Sequence, residues 1–376
     1  MRTRPRPTAP HQAKVSRVLR PGPSGADGYR RGVTTTEAHR EHAHGTRAAG
    51  GRLLVAGVGA IVVIALARIG TATLPAGILP DRLQDFVTLT VSVVVESMPF
   101  VVLGILLSIV VQVWLPAGFF AAWLPRNPMA RRAVVSLLGV LLPVCECGNV
   151  PLARGLVAKG FSVSDSMTFL IAAPIVNPIT IVTTYQAFGW SDGILVSRIV
   201  GGFLVANLLG WLYSKHRDQD ALLTTAFARE CRMPAGSHDG HSHSRVGSSA
   251  GLFRREMTTM LPALLVGAAV AGGVQTLVPR SVLLTLGSNP VWSILAMMAL
   301  AFVISICSNV DAFFVLPFAS TFLPGSIVAF LVFGPIVDIK MLTLLRTTYR
   351  PAVLAQIGVV VGLVAAVLGL VVNQIA

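Results

Sequence analysis

The strongest constraint on this chain is a motif that occurs twice inside apolar sequence. The run from Phe169 to Asn177 (FLIAAPIVN) returns from Phe330 to Asp338 (FLVFGPIVD). A cysteine turn lies upstream of each copy: Cys147-Gly148-Asn149-Val150 in the first half, Cys307-Ser308-Asn309-Val310 in the second. Further upstream, Pro99, Gly104, Gln112 and Pro116 recur at one constant offset as Pro262, Gly267, Gln275 and Pro279. Matched halves with hydrophobic segments interrupted by Pro, Gly and Asn are the signature of transporters built from two repeats. Their binding site lies where the interrupted segments meet.

Only 12% of the 376 residues are charged, against 53% hydrophobic, with a mean hydropathy of +0.72. A soluble domain carries about a quarter charged residues. The deficit comes from charge-free stretches: 97–123, 166–191, 257–279, 312–337 and 352–376. Each exceeds the about 20 residues that cross a bilayer core as a helix. An all-α polytopic membrane protein is expected.

The net charge of +14 then reads as an address rather than a nucleic-acid footprint. Arginine crowds the N-terminal tail and the loop Lys215–Arg255, and basic residues near membrane segments mark the cytoplasmic side. Residues 1–52 lack an apolar period and are expected to be a disordered basic tail. Residues 53–72 are expected to be an extra, retained transmembrane helix. A multi-pass membrane location with a cytoplasmic N-terminus is implied.

Two repeats are expected at 96–213 and 257–376, joined by a hydrophilic, His-containing cytoplasmic loop at 214–256. Only 26 residues separate Arg132 from Lys159, with the cysteine turn near their centre. Two full spans need about 40 residues, whereas two legs of about 12 residues reach roughly 18 Å each. A re-entrant hairpin fits, and Val291–Thr321 is its counterpart. Each half then holds about three crossings, one hairpin and one Pro-broken helix, and an odd number of crossings inverts the second copy. The rival topology makes Ala133–Val150 a full span and places Arg154 and Lys159 outside.

Candidate site residues lie at the interruptions. Cys145 and Cys147 straddle Glu146 in a turn containing Pro143, Gly148 and Pro151, and irregular backbone at membrane depth must line protein or a cavity. Soft sulfur ligands suit Cu(I), Zn and similarly thiophilic species; buried packing cysteines are the alternative. With Cys307 equivalent to Cys147, the two hairpin tips are expected to bring these thiols together. Asn149, Pro174, Asn177, Asn309, Pro335 and Asp338 would line the path. Glu146, Asp311, Asp338 and Lys340 are ionisable groups in uncharged surroundings and are candidates for proton or ion coupling; Asp338 and Lys340 could also be simply an ion pair. Glu96 and Glu256 precede the first helix of each repeat. His238, His241 and His243 offer imidazole ligands for a metal. No phosphate loop or nucleophile–base arrangement is present, so an enzyme is not expected and no cofactor is called for.

Cys145-Glu146-Cys147-Gly148-Asn149-Val150-Pro151, the Phe-Leu…Pro-Ile-Val-Asn-Pro run, Cys307-Ser308-Asn309-Val310-Asp311-Ala312-Phe313 and Gly334-Pro335-Ile336-Val337-Asp338-Ile339-Lys340 together resemble the bacterial predicted-permease family of the ArsP and YraQ type. The resemblance runs from about Glu96 to the C-terminus. It implies an inner-membrane permease, with efflux of trivalent organoarsenicals as one known activity. The expected function is secondary transport of a soft, thiophilic solute such as a trivalent organoarsenical or a metal species. The partners would be the lipid bilayer and a small-molecule or ion substrate, with no nucleic acid and with homo-oligomerisation or a partner subunit open. The alternative is a non-transporting membrane subunit or scaffold for a partner protein; a membrane thiol enzyme is disfavoured by the lack of a CxxC pair.

Overall fold

The computed structural model describes residues 81–116, 119, 124–142, 144–232, 245–277 and 290–375. The basic tail, the helix expected at 53–72 and His238, His241 and His243 lie outside the described residues. Among the described residues the chain is helical, with one isolated bridge between Leu223 and Tyr349.

In chain order the helices are α1 (Asp81–Ile109, ending in a π turn at Val110–Trp114), α2 (Pro128–Leu141), α3 (Glu146–Ala158), α4 (Val163–Val176), α5 (Pro178–Phe188) and α6 (Ile194–Ser214). A short α7 (Thr225–Arg232) precedes the second series: α8 (Arg245–Leu277), α9 (Pro290–Ile304), α10 (Asp311–Val315, continued by a 3₁₀ turn at Leu316–Ser320), α11 (Pro324–Phe333), α12 (Ile339–Leu345) and α13 (Pro351–Ile375). The order long helix, split hairpin, broken helix, long helix thus occurs twice.

Among the described residues five helices are long and apolar enough to cross a bilayer: Arg82–Trp114, Val163–Phe188, Ile194–Ser214, Arg245–Leu277 and Pro351–Ile375. Their outer faces carry what lipid wants. On α6, Val196, Val200, Leu204 and Leu208 follow one another at helical spacing and are exposed, while Val205, Ala206 and Leu209 point inward. That exposed apolar stripe suits a hydrocarbon surrounding. The interior consists of α4, buried along its whole length, with most of α3 and α11.

The interruptions follow local chemistry. Asn127 accepts from the Met129 N–H and Pro128 opens α2, a standard helix start. Helix α2 stops at Leu141 and α3 restarts at Glu146, so Ala133–Val150 is not one continuous span. The two legs, of 14 and 13 residues, reach about 20 Å each. Both lie against α4, and in the second half α9 and α10 both lie against α11.

Pro174 is absorbed within α4, and the first broken helix is interrupted at Asn177 alone. There the Asn177 carboxamide oxygen accepts from the Ile179 N–H at 2.9 Å and caps α5, with Pro178 in its first turn. The second break is wider, from Gly334 to Asp338, and includes Pro335; Asp338 caps α12 by accepting from the Met341 N–H.

Membrane helices associate through close packing and polar contacts rather than through a hydrophobic drive, and glycines set the critical distances here. A Cβ on Gly104 would lie 2.0 Å from the Gly148 carbonyl oxygen, so α1 and α3 touch backbone to backbone. Gly267, the repeat equivalent of Gly104, does the same for α8 against α12: its Cβ would meet Thr343 Oγ1 at 2.1 Å and the Lys340 Cα at 3.2 Å. Helices α1 and α8 also pack on each other. One glycine therefore fixes the helix that carries Glu146 and its counterpart fixes the helix that carries Lys340.

Two expectations are corrected. The first helix of the first half is already formed at Asp81, the first described residue of it, rather than starting at Glu96: a Cβ on Gly272 would meet Thr90 Oγ1 at 2.5 Å and the Phe86 carbonyl at 3.3 Å, so turns that look like loop by their charge are helix packed on α8. Glu96 and Glu256 accordingly lie inside α1 and α8 rather than before them.

Candidate functional site

The two hairpin tips and the two helix breaks are joined by hydrogen bonds at the centre of the fold. Glu146, the first residue of α3, is fully buried, and its carboxylate sits at a helix N-terminus where negative charge is favoured. Lys340 Nζ donates to its Oε1 at 3.1 Å. Its Oε2 accepts from the Ser308 hydroxyl at 3.0 Å, the Ser308 N–H at 3.4 Å and the Cys307 thiol at 3.6 Å. The network continues through the Ser308 carbonyl, which accepts from Arg198 at 3.4 Å, to Asp311, whose two oxygens hold the Arg198 guanidinium at 2.6 and 2.9 Å. A buried polar chain, Lys340–Glu146–Ser308–Arg198–Asp311, thus runs between the two halves.

Desolvation makes isolated charge in this position untenable. Each charge in the chain has an opposite partner, and the pairs are cross-half: Glu146 with Lys340, Arg198 with Asp311. The alternative of an Asp338–Lys340 ion pair is not the one formed. Lys340 is committed to Glu146, because α12 leaves its cap with Lys340 facing α3.

The sulfur chemistry gathers around the same carboxylate. Cys145 Sγ, Cys307 Sγ and a Glu146 carboxylate oxygen lie within 4.8 Å of one another, all buried. The thiol that joins Cys307 in this group is Cys145, the N-cap of α3, rather than the expected Cys147. Cys147, two residues on, donates instead to Ser97 of α1 at 3.7 Å.

The polar residues divide. Asn149 and Asn177 both donate to the Val144 carbonyl, at 3.3 and 3.1 Å, and tie the first hairpin tip to the first break. Asn309 accepts from Thr180 of α5 at 3.2 Å, joining the second tip to the first half's broken helix. The counterpart of Thr180 by repeat position is Met341, which has no hydroxyl. Consistently, the Asn149 carboxamide oxygen is buried without a partner, as is the second oxygen of Asp338.

Arg198, Ser308, Thr180 and Ser97 belong to this centre and escaped the sequence reading. Arg198 lies near the start of α6, where a charge looks interfacial. The signal for it was Asp311, a carboxylate in an apolar run that demanded a cation.

A second cluster closes the end carrying the segment after α6. Arg154 of α3 reaches Glu256 of α8 at 3.1 Å and Glu230 of α7 at 3.2 Å, over the face of the Phe227 ring. Thr224 N–H and Arg350 N–H bind Thr348 and Leu222 carbonyls, at 2.9 and 3.1 Å, and fasten this segment to the α12–α13 link.

The sequence matches the predicted permease family ArsP_1 over residues 82–374. It is 35% identical to the UPF0718 protein YcgR of Bacillus subtilis over 69% of this chain and 87% of that protein. It is 32% identical to a Streptococcus mutans protein named "Putative two-component membrane permease complex subunit", over 74% of this chain and 91% of the relative. The UPF0718 protein YraQ of Escherichia coli is 32% identical over 30% of this chain and 32% of its own length. No solved structure matches. With its multi-pass helical fold and a family match across nearly all the described helices, the chain is a membrane permease of the predicted permease family ArsP_1.

Proposed function

We propose that this permease is a secondary transporter of inverted-repeat design whose passage runs through the Cys145–Glu146–Cys307 centre. The solute class is soft and thiophilic: a trivalent organoarsenical or a soft metal species. The proximity of two buried thiols to one carboxylate carries this reading. A soft electrophile bonds thiolate sulfur and displaces the thiol proton. Glu146 already accepts from the Cys307 thiol and is placed to take that proton. The free oxygens of Asn149 and Asp338 would line the path, and Asp338 would carry the coupling proton.

The exchange of contacts between halves fits two repeats related by a two-fold axis, and the odd number of crossings in each half is what inverts one copy. Helix α3 packs against α12 of the second half, and α10 packs against α5 of the first. A two-fold axis between repeats at 96–213 and 257–376 produces such reciprocal pairs. The basic segment after α6 supports a cytoplasmic location for that face, and with the transmembrane helix expected at 53–72 the N-terminus would be cytoplasmic as well.

The test is tolerance of cells with and without the gene to a panel of trivalent arsenicals, Cu(I), Zn and related ions. The expected result is raised tolerance to one member, lost in Cys145→Ser and Cys307→Ser variants that still reach the membrane. Unchanged tolerance across the panel would reject the solute class. A second reading, a subunit that works only with a partner, is favoured by the Streptococcus mutans relative's name. Stoichiometric co-purification of another membrane protein, with activity restored only in its presence, would select it.

A further inference from the structure

Two buried arginines flank the thiol–carboxylate centre, and each fastens one hairpin helix to the opposite half of the chain. Arg154 is 2% exposed. Its Nε meets Glu256 of α8 at 3.1 Å, one Nη meets Glu230 of α7 at 3.2 Å, and the other donates to the Thr347 carbonyl at 3.1 Å. Its guanidinium carbon lies 4.0 Å from the centre of the Phe227 ring. Arg198 is 1% exposed and holds Asp311, the first residue of α10, by both oxygens, with Thr184 of α5 accepting at 2.7 Å. Thus α3, the first half's hairpin helix, is tied to α8, and α10, the second half's hairpin helix, is tied to α6.

The two ties lie on opposite sides of the centre. Helix α3 runs from Glu146 towards the end of the molecule where α7 sits, and Arg154 is eight residues along it, about 12 Å from Glu146. Helix α6 finishes at Ser214 at that same end, where Gln219 hydrogen-bonds to the Tyr213 carbonyl. Arg198 comes sixteen residues before Ser214, about 24 Å towards the other end. The Arg198 contact to the Ser308 carbonyl places it directly behind the Glu146 network on that side.

We infer that Arg154–Glu256–Glu230 and Arg198–Asp311 are the latches of two gates, one for each side of the centre. Neither hairpin helix can withdraw while its latch is closed without stranding a buried charge. Opening one side breaks one latch and admits the water that solvates the freed groups, while the other stays shut. Arg154 and Arg198 are positioning residues: they act on α3 and α10, not on the solute. The inference rests on the permease reading for its purpose, but its test needs no solute.

The test uses the full chain carrying Cys231→Ser, so that Cys145, Cys147 and Cys307, all buried, are the remaining thiols. A charged, membrane-impermeant methanethiosulfonate is applied to right-side-out and to inside-out vesicles, and labelling of the three cysteines is mapped by mass spectrometry. Glu256→Gln, and independently Arg154→Gln, should raise labelling about tenfold or more from the face carrying α7 alone. Asp311→Asn, and independently Arg198→Gln, should do so from the opposite face alone. The reversed pair Arg198→Asp with Asp311→Arg should return labelling to the parental level. Equal gains from both faces would show that the bridges are purely structural, and no gain from either face would show that they do not gate; each result overturns the inference. Absence of transport with sided labelling intact would reject the solute reading and leave the gates standing.

Discussion

Replacing Lys340 with Met isolates the central charge pair. Lys340 Nζ and Glu146 Oε1 are 3.1 Å apart, come from residues 194 positions apart in sequence, and are at most 2% exposed. Removing one partner of a buried pair costs about 3–5 kcal/mol, chiefly because the other charge is left uncompensated. Glu146 keeps the Ser308 hydroxyl and N–H as donors, which favours the lower end, about 3 kcal/mol. At roughly 2 °C per kcal/mol, the lower edge of the scale for domains of about 200 residues and the suitable one for a longer chain, the melting temperature should fall on the order of 6 °C. Glu146→Gln combined with Lys340→Met removes both charges and keeps an acceptor for Ser308. The double variant should recover much of the loss, with a coupling of about 2 kcal/mol. Thermal unfolding of the detergent-purified protein, followed by fluorescence-detected size exclusion, measures all three. Additive losses would refute the pairing. Rescue of Lys340→Met by Asp338→Asn instead of Glu146→Gln would show that the lysine belongs to its neighbour in sequence.

Three further outcomes follow from the same geometry. Asp338→Asn preserves the cap on the Met341 N–H and should stay within about 1 kcal/mol of the parent, yet lose flux driven by a pH gradient in vesicles. Gly104→Ala drives a methyl into the Gly148 carbonyl, where no side chain can give way; it should cost about 3 kcal/mol or more and be read as loss of monodisperse protein. Cys231 lies outside the membrane helices, and burial, reinforced by Glu230, pushes its thiol up to about 11. The reactive thiolate is therefore scarce at neutral pH, and maleimide labelling of Cys231 should rise about tenfold per pH unit beyond pH 9, where an ordinary thiol with a pKa near 8.5 has levelled off.

Much of this fold is legible in the residues because backbone chemistry is local. Asn177-Pro178 and Gly334-Pro335 cannot continue a helix without leaving carbonyls unpaired, and 26 residues between Arg132 and Lys159 cannot cross a bilayer twice. These two facts suffice for the breaks and the split hairpins. Asp81–Asp85 was misleading because charge near a membrane helix looks like loop, whereas the Thr90–Gly272 packing that makes it helix is visible only in three dimensions. The site was legible as a composition but not as a wiring diagram. Glu146, Cys307, Asp311 and Lys340 are conspicuous as polar groups in apolar sequence, but which cation meets which carboxylate depends on how two halves dock. Lys340 therefore goes to Glu146 and not to Asp338, and Arg198 had no signature beyond the unmatched Asp311. The short amphipathic α7, with Phe227 beneath Arg154, is likewise a product of docking.

The most direct measurement is flux through the purified protein in liposomes. Wild-type chain, Cys145→Ser, Cys307→Ser and protein-free vesicles are loaded with a trivalent organoarsenical under an imposed proton gradient, and its release is followed over time. The account predicts gradient-dependent release by the wild-type protein that both serine variants lose while remaining folded and inserted. Release by the serine variants at the wild-type rate would contradict a passage through the Cys145–Glu146–Cys307 centre.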